Sequence, residues 1–272
     1  MNIISKKDRG FINLPTAIVI SATIIAIAII WVNKPANTNV VDNTKKDTSE
    51  SAPIVNIRPI TKTDYILGNP NAPIIMLEYS DPSCPFCKSF DATMEKVVAK
   101  YVESGKVAWT YRHYPLDFHP NAVKESEAIE CAGEQGGNQG YWKYLRKLYE
   151  VTPAVTQLTP NGLDQKELPN IAKEVGLDVE TFKTCLSSGK FNTKVKADLQ
   201  DGINAGIRGT PHTIFVMIDP IDTDVEKAVS NLISQLGITK DMLYISKDKT
   251  KIGMSGALPF EAVEYLIEAI LK

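Results

Sequence analysis

Two thiols three positions apart, in Cys84-Pro85-Phe86-Cys87, are the residues of this chain best spaced to do chemistry. On a helix that spacing is about one turn, so the two sulfurs can close a disulfide and open it again. The attacking species in such an exchange is the thiolate, which a helix N-terminus favours through its dipole and its free N–H groups. Two other uses of a Cys-x-x-Cys pair fit less well. A zinc site needs further ligands, but there is no second such pair, and His113, His119 and His212 show no ligand spacing. A c-type haem needs a histidine directly after the second cysteine, where Lys88 stands. No metal and no cofactor beyond the dithiol itself is expected.

The elements that must position these thiols are legible on either side. The apolar run Ile74–Ser80, with Glu78 set in it, reads as a strand central in its sheet. Asp81, Pro82 and Ser83 turn the chain into a helix over 85–103, with Ser83 as N-cap and Pro85 in the first turn. Phe86, Phe90, Met94, Val97, Val98 and Tyr101 recur at helical spacing, and Gly105 ends the run. Val107–His113 alternates and is rich in β-branched and aromatic residues, so it reads as a second strand, joined to the first by a right-handed parallel crossover. A carboxyl on such a buried strand has a raised pKa, which makes Glu78 the candidate for moving the proton of Cys87.

The rest of the chain divides simply. Residues 54–60 read as a short edge strand and 67–73 as turn material. Helices are expected over 122–134, 141–149, 165–175, 179–187 and 192–205, forming a helical block at about 119–206. Strands return at 213–218, 242–246 and 250–254, with helices over 224–236 and 259–271. Cys131 and Cys185 both fall in the helical block. They either pair as a structural disulfide or remain as buried thiols.

The N-terminus sets the compartment. Lys6, Lys7 and Arg9 precede an uncharged apolar run over 11–32, long enough for a bilayer and longer than the core of a cleaved signal peptide. It reads as a retained signal anchor, with cleavage as the alternative. Residues 1–10 then stay cytoplasmic and the remainder is exported. Residues 33–53, rich in Asn, Thr, Ser, Lys and Asp, form a flexible linker to a folded domain over 54–272. The chain has 272 residues, 43% hydrophobic and 23% charged, with a net charge of −2. That composition is ordinary for a globular protein, and without a basic block there is no sign of a nucleic-acid partner.

With these residues in hand, the chain resembles the thioredoxin superfamily and, within it, the membrane-anchored bacterial type of the DsbA-like thiol–disulfide oxidoreductases. The likeness rests on several stretches. One is the strand running through Glu78 into Cys84-Pro85-Phe86-Cys87, with the acid six residues before the first cysteine. The others are His113-Tyr114-Pro115-Leu116, Gly209-Thr210-Pro211, and the approach to the last helix from Ser255 to Phe260. It implies an α/β thioredoxin-like fold with an inserted helical subdomain, and Cys84 as nucleophile with Cys87 resolving. It further implies a cis peptide at Pro211, and substrate contacts from Pro85, Phe86, Thr210 and Pro211. The partners implied are secreted proteins still folding and a membrane protein that recycles the site. The strongest oxidants of the branch carry histidine inside the dipeptide, so Phe86 implies a milder one. Reductase, isomerase and a non-catalytic chaperone or binding module are the alternatives. One departure is the segment 219–241, longer than the turn usual there.

Overall fold

Six strands form one mixed sheet in a computed structural model that describes residues 56–153 and 162–272. The expected anchor at 11–32 and linker at 33–53 lie outside those residues. Among the described residues no helix is long and apolar enough to cross a membrane.

In chain order the strands are β1 (Ile66–Gly68), β2 (Ile74–Ser80), β3 (Val107–His113), β4 (His212–Met217), β5 (Leu243–Ile245) and β6 (Lys251–Ser255). Their order across the sheet is β1-β3-β2-β4-β6-β5. β2 runs parallel to β3 and antiparallel to β4, with Glu78 opposite Tyr111 on one side and Thr213 on the other. Being flanked on both edges and covered on both faces explains its nearly continuous apolar sequence. Side chains alternate across a strand. Ile74 and Met76 therefore join the main core and Leu77 and Tyr79 a smaller one on the opposite face. Glu78, in step with Met76, is aimed into the main core.

The helices are α1 (Pro85–Val97), α2 (Ala122–Val151), α3 (Leu168–Glu174), α4 (Val179–Ser188), α5 (Asn192–Asn204), α6 (Thr223–Leu236) and α7 (Phe260–Ile270). α1 packs Phe90, Met94 and Val97 into the main core beside Val263, Leu266 and Ile267 of α7. Its final turn widens into a π-helix over Val98–Val102 before Gly105 ends it at φ 74°. The separate helices expected at 122–134 and 141–149 are the two arms of α2, bent at Gly137, whose φ of 61° no helix contains. A disulfide joins Cys131 on α2 to Cys185 on α4, with Cα atoms 5.9 Å apart.

Two expectations fail at the first edge of the sheet. The described part of the 54–60 segment is not a strand, and the 67–73 turn contains most of β1, which pairs with β3. Side chains have taken the backbone groups that a strand at 56–60 would need. Arg112 donates to the carbonyls of Arg58 at 2.9 Å and Pro59 at 3.0 Å, and the Arg58 N–H goes to Asp201 at 2.7 Å. Arg112 itself is fully buried, paired with Asp64 at 2.8 Å and Asp201 at 2.7 Å. A buried guanidinium without such partners would cost several kcal/mol.

Behind β3, His113, Glu130 and Asp198 bring atoms of ligand type within 4.8 Å of one another, a grouping that sequence spacing concealed. The Lys194 ammonium is bonded to both acids, at 3.2 and 3.3 Å.

Candidate active site

Cys84 is where β2 hands over to α1. Asp81 accepts the Cys84 N–H at its carbonyl (3.0 Å), and the Cys84 carbonyl then accepts from Lys88 at 3.1 Å. The N-cap is thus Cys84 itself, in extended conformation, with Pro85 opening the helix. Ser83 is the cap that the sequence predicts, but its hydroxyl donates instead to Glu125 at 2.6 Å. The Cys84 thiol lies 3.7 Å from the Thr210 carbonyl, at the cis Thr210–Pro211 peptide. Its pKa is lowered to about 6, first by the Cys87 thiol donating to its sulfur. The Thr210 side chain and the N–H groups of Cys87 and Phe86 add to this, against the opposing effect of burial. Phe86 stands beside it 65% exposed, an apolar side chain offered to whatever approaches.

Cys87, one turn on, is fully buried. Its sulfur accepts the Asp81 N–H at 3.5 Å. Burial, then the hydrogen bond that the Cys87 thiol gives to Cys84, then the negative charges of Cys84 and Glu78, push its pKa well above the ordinary thiol range. Glu78 is held by Trp109, whose indole N–H donates to Oε2 at 3.1 Å. Burial raises its pKa to about 8, with the charges of Asp91 and Cys84 adding and the hydrogen bonds from Ser80 and Trp109 opposing. Asp91 on α1 is a second buried acid, raised to about 7 by burial, with Arg146 as its counter-charge. The pair can therefore work as follows. The outer sulfur ionises easily, the inner one keeps its proton, and a carboxyl that titrates near neutrality lies in the same core.

The family model described as thioredoxin matches residues 60–233. The chain belongs to the thioredoxin family. Among curated relatives it is 29% identical over 164 residues to Na(+)/H(+) antiporter NhaA 1 of Mycolicibacterium gilvum, covering 59% of this chain and 24% of that protein. The chain thus spans about a quarter of the length of the antiporter it matches. It is 26% identical over 176 residues to the probable disulfide bond formation protein D of Bacillus anthracis, covering 61% of this chain and 77% of that one. Among solved structures, Wolbachia pipientis alpha-DsbA1 superposes with a TM-score of 0.59 at 23% identity, covering 78% of this chain and 92% of that one. At that identity the likeness speaks to the fold.

Within this thioredoxin-family frame, sequence reasoning missed one layer of the site. Asp81, wholly buried, accepts from Ser83 N–H at 2.7 Å, Leu116 N–H at 2.8 Å and His119 Nδ1 at 2.7 Å. In the sequence His119 shows only a lack of ligand spacing. Its partner is 38 residues away, so no local pattern reveals it. Glu125, under Ser83, is raised to about 7, chiefly by burial.

Cys131 and Cys185 are tied to each other and take no part in the Cys84–Cys87 site. On the other side of the cis peptide, a groove of about 1050 Å³ runs from Thr210 and Pro211 past Arg208 and Lys240 to Val229 and Ile233. Those last two belong to α6, so the long 219–241 segment forms a wall of this groove.

Proposed function

We propose that the protein is a DsbA-like thiol–disulfide oxidoreductase, working outside the cytoplasm on secreted proteins and tethered by residues 11–32. The observation that carries this is the contrast within one helical turn. Cys84 is ready to ionise at the start of α1, and Cys87 stays protonated beneath it in the core that holds Glu78.

In the oxidising direction a client thiolate attacks Cys84 of the Cys84–Cys87 disulfide. A client–Cys84 bond forms, the intramolecular bond breaks, and the electron pair leaves on Cys87, whose high pKa draws a proton from the Glu78 carboxyl. A second client thiolate then attacks the client sulfur. It closes the client's disulfide and releases Cys84 as a thiolate, a good leaving group because of its low pKa. The client has lost two electrons and the site has gained them. A membrane redox partner that accepts those electrons restores the disulfide. The Gly209–Pro211 turn offers backbone to an extended client segment, with Phe86 and Pro85 as apolar contacts. The tether rests on the charge and hydropathy of residues 1–32.

Oxidation of a dithiol peptide and reduction of insulin, compared between Cys84→Ser and Cys131→Ser, test the assignment. Loss in the first alone supports it; wild-type activity in both sinks it, leaving a non-catalytic binding module. Direction follows from the equilibrium with glutathione. A potential near that of thioredoxin, about −270 mV, would replace the oxidase reading with a reductase.

A further inference from the structure

The Pro85-Phe86 dipeptide brings no charge to the Cys84 sulfur, yet the loop between β3 and α2 brings a histidine from elsewhere in the chain. His119 lies on that loop, its ring linked at 2.7 Å to the Asp81 carboxylate. Asp81 is bonded to both cysteines through its backbone, the carbonyl to Cys84 N–H and the N–H to Cys87 Sγ. A side chain fixed on Asp81 is therefore fixed relative to the exchanging sulfurs. Among the described residues His119 is the one basic side chain in an ion pair with Asp81. The groups that face it are acidic from each direction: Asp81 from the end of β2, Cys84 from the start of α1, and Glu125 from α2. His119 Nε2 makes no hydrogen bond among the described residues, and the ring is covered on one side by the edge-on ring of Phe118 at 4.5 Å.

We propose that His119 is a positioning residue that supplies the positive charge balancing Asp81 and the Cys84 thiolate, in the place of a charged residue in the dipeptide. The proposal rests on the reading of Cys84 as nucleophile. Its physical basis is simple. A buried carboxylate beside the thiolate disfavours ionisation of the sulfur; an imidazolium on that carboxylate cancels the repulsion. The coupling is mutual, and Asp81, followed by the charges of Cys84 and Glu125, holds the His119 pKa above the ordinary histidine value.

The test is a pH titration of the thiolate's ultraviolet absorbance in the reduced full-length protein, for wild type, His119→Gln and His119→Lys. Glutamine can keep the hydrogen bond to Asp81 without the charge; lysine keeps the charge without the ring. The Cys84 midpoint is expected to rise by about one unit in His119→Gln, since Cys84 is among the groups that act on the His119 charge and that action is mutual. His119→Lys should return it toward the wild-type value. In parallel, the glutathione equilibrium of His119→Gln should move severalfold toward the disulfide form, because a less stable thiolate makes a weaker oxidant. A midpoint in His119→Gln equal to wild type overturns the inference, as does an equal rise in both variants, which would assign His119 to shape alone. Near-ultraviolet circular dichroism of each variant checks that the fold is kept. A wild-type protein with no midpoint below the ordinary thiol range is a different failure, one that removes the nucleophile assignment itself.

Discussion

Cys84 and Cys87 share a helical turn, but their surroundings differ as a protein's rim differs from its core. Around Cys84 are the N–H groups of the first turn, the Thr210 side chain and a histidine held on Asp81. Around Cys87 are the carboxyl of Glu78, the buried rings of Tyr111 and Tyr149, and no basic side chain among the influences on its pKa. One thiol is eased toward its anion and the other is held away from it. The difference does not come from the cysteines or from their spacing. It comes from where the Asp81–Ser83 joint ends, which leaves the first sulfur at the helix cap and carries the second down into the main core. Asymmetry of this kind gives an exchange site its order of events, because the sulfur that ionises more easily is the one that bonds to the client and is released from it.

The harshest way to break the comparison is to remove each thiol in turn. Both Cys84→Ser and Cys87→Ser should fall to background in client turnover, but only Cys87→Ser should accumulate a mixed disulfide with a client disulfide, the Cys84 thiolate attacking it and the client's other sulfur leaving, visible by non-reducing mass analysis. A trapped adduct in Cys84→Ser instead would reverse the assignment of roles. The next largest effect is expected from Glu78→Gln. Its folded pKa of about 8 lies above the ordinary 4.5. Burial of the carboxyl therefore costs nothing below pH 4.5, and the cost grows as pH rises toward 8. Reduced Glu78→Gln should gain on the order of 3 kcal/mol of stability near pH 7, and nothing at pH 4, in denaturant titrations against wild type. The same variant should release or resolve Cys87 about a hundredfold more slowly if the carboxyl moves its proton. Unchanged stability across that pH window would mean that Glu78 is solvated and outside the core.

What could be read in the sequence was whatever local pattern encodes. β2 and β3 came out residue for residue, since strands in the middle of a sheet advertise themselves by unbroken or alternating apolar character. The helix after Cys84 and the Gly-Thr-Pro turn were equally local. What could not be read depends on partners far along the chain. Arg112 looks like a surface residue until Asp64 and Asp201 are brought to it from 48 residues before and 89 residues after. Ser83 has the chemistry of a cap, but Glu125 takes its hydroxyl. Asp81 reads as a turn former, and His119 as an isolated histidine. Charged and polar side chains carry no periodic signature of burial, because their burial is decided by the partner that compensates it.

Smaller changes sharpen the contrast by moving one side alone. Phe86→His places an ionisable group next to Cys84, exposed to solvent and therefore screened. The Cys84 midpoint should drop by about half a unit to one unit in thiolate absorbance, with the glutathione equilibrium shifting severalfold toward the dithiol, while Cys87 stays protonated. A shift of both thiols would mean that rim and core are electrostatically continuous.

The finest probe works from the opposite side. Asp91 is close enough to Glu78 for its charge to raise the Glu78 pKa, after burial itself has done most of that. Asp91 is in turn held near 7 by burial against the pull of Arg146. Asp91→Asn removes the second negative charge and leaves the core shape intact. Glu78 should then titrate lower, by less than about one unit, since burial is the larger cause of its raised pKa and Arg146 offsets part of the Asp91 charge. The checking measurement is the pH at which the Glu78→Gln stability difference levels off, measured in the wild-type and Asp91→Asn backgrounds. With Asp91→Asn the plateau should come at lower pH and at a smaller difference, the onset should stay near pH 4.5, and the Cys84 midpoint should hold its wild-type value. If the plateau does not move, the two acids are insulated from one another, and the high pKa of Glu78 owes nothing to Asp91.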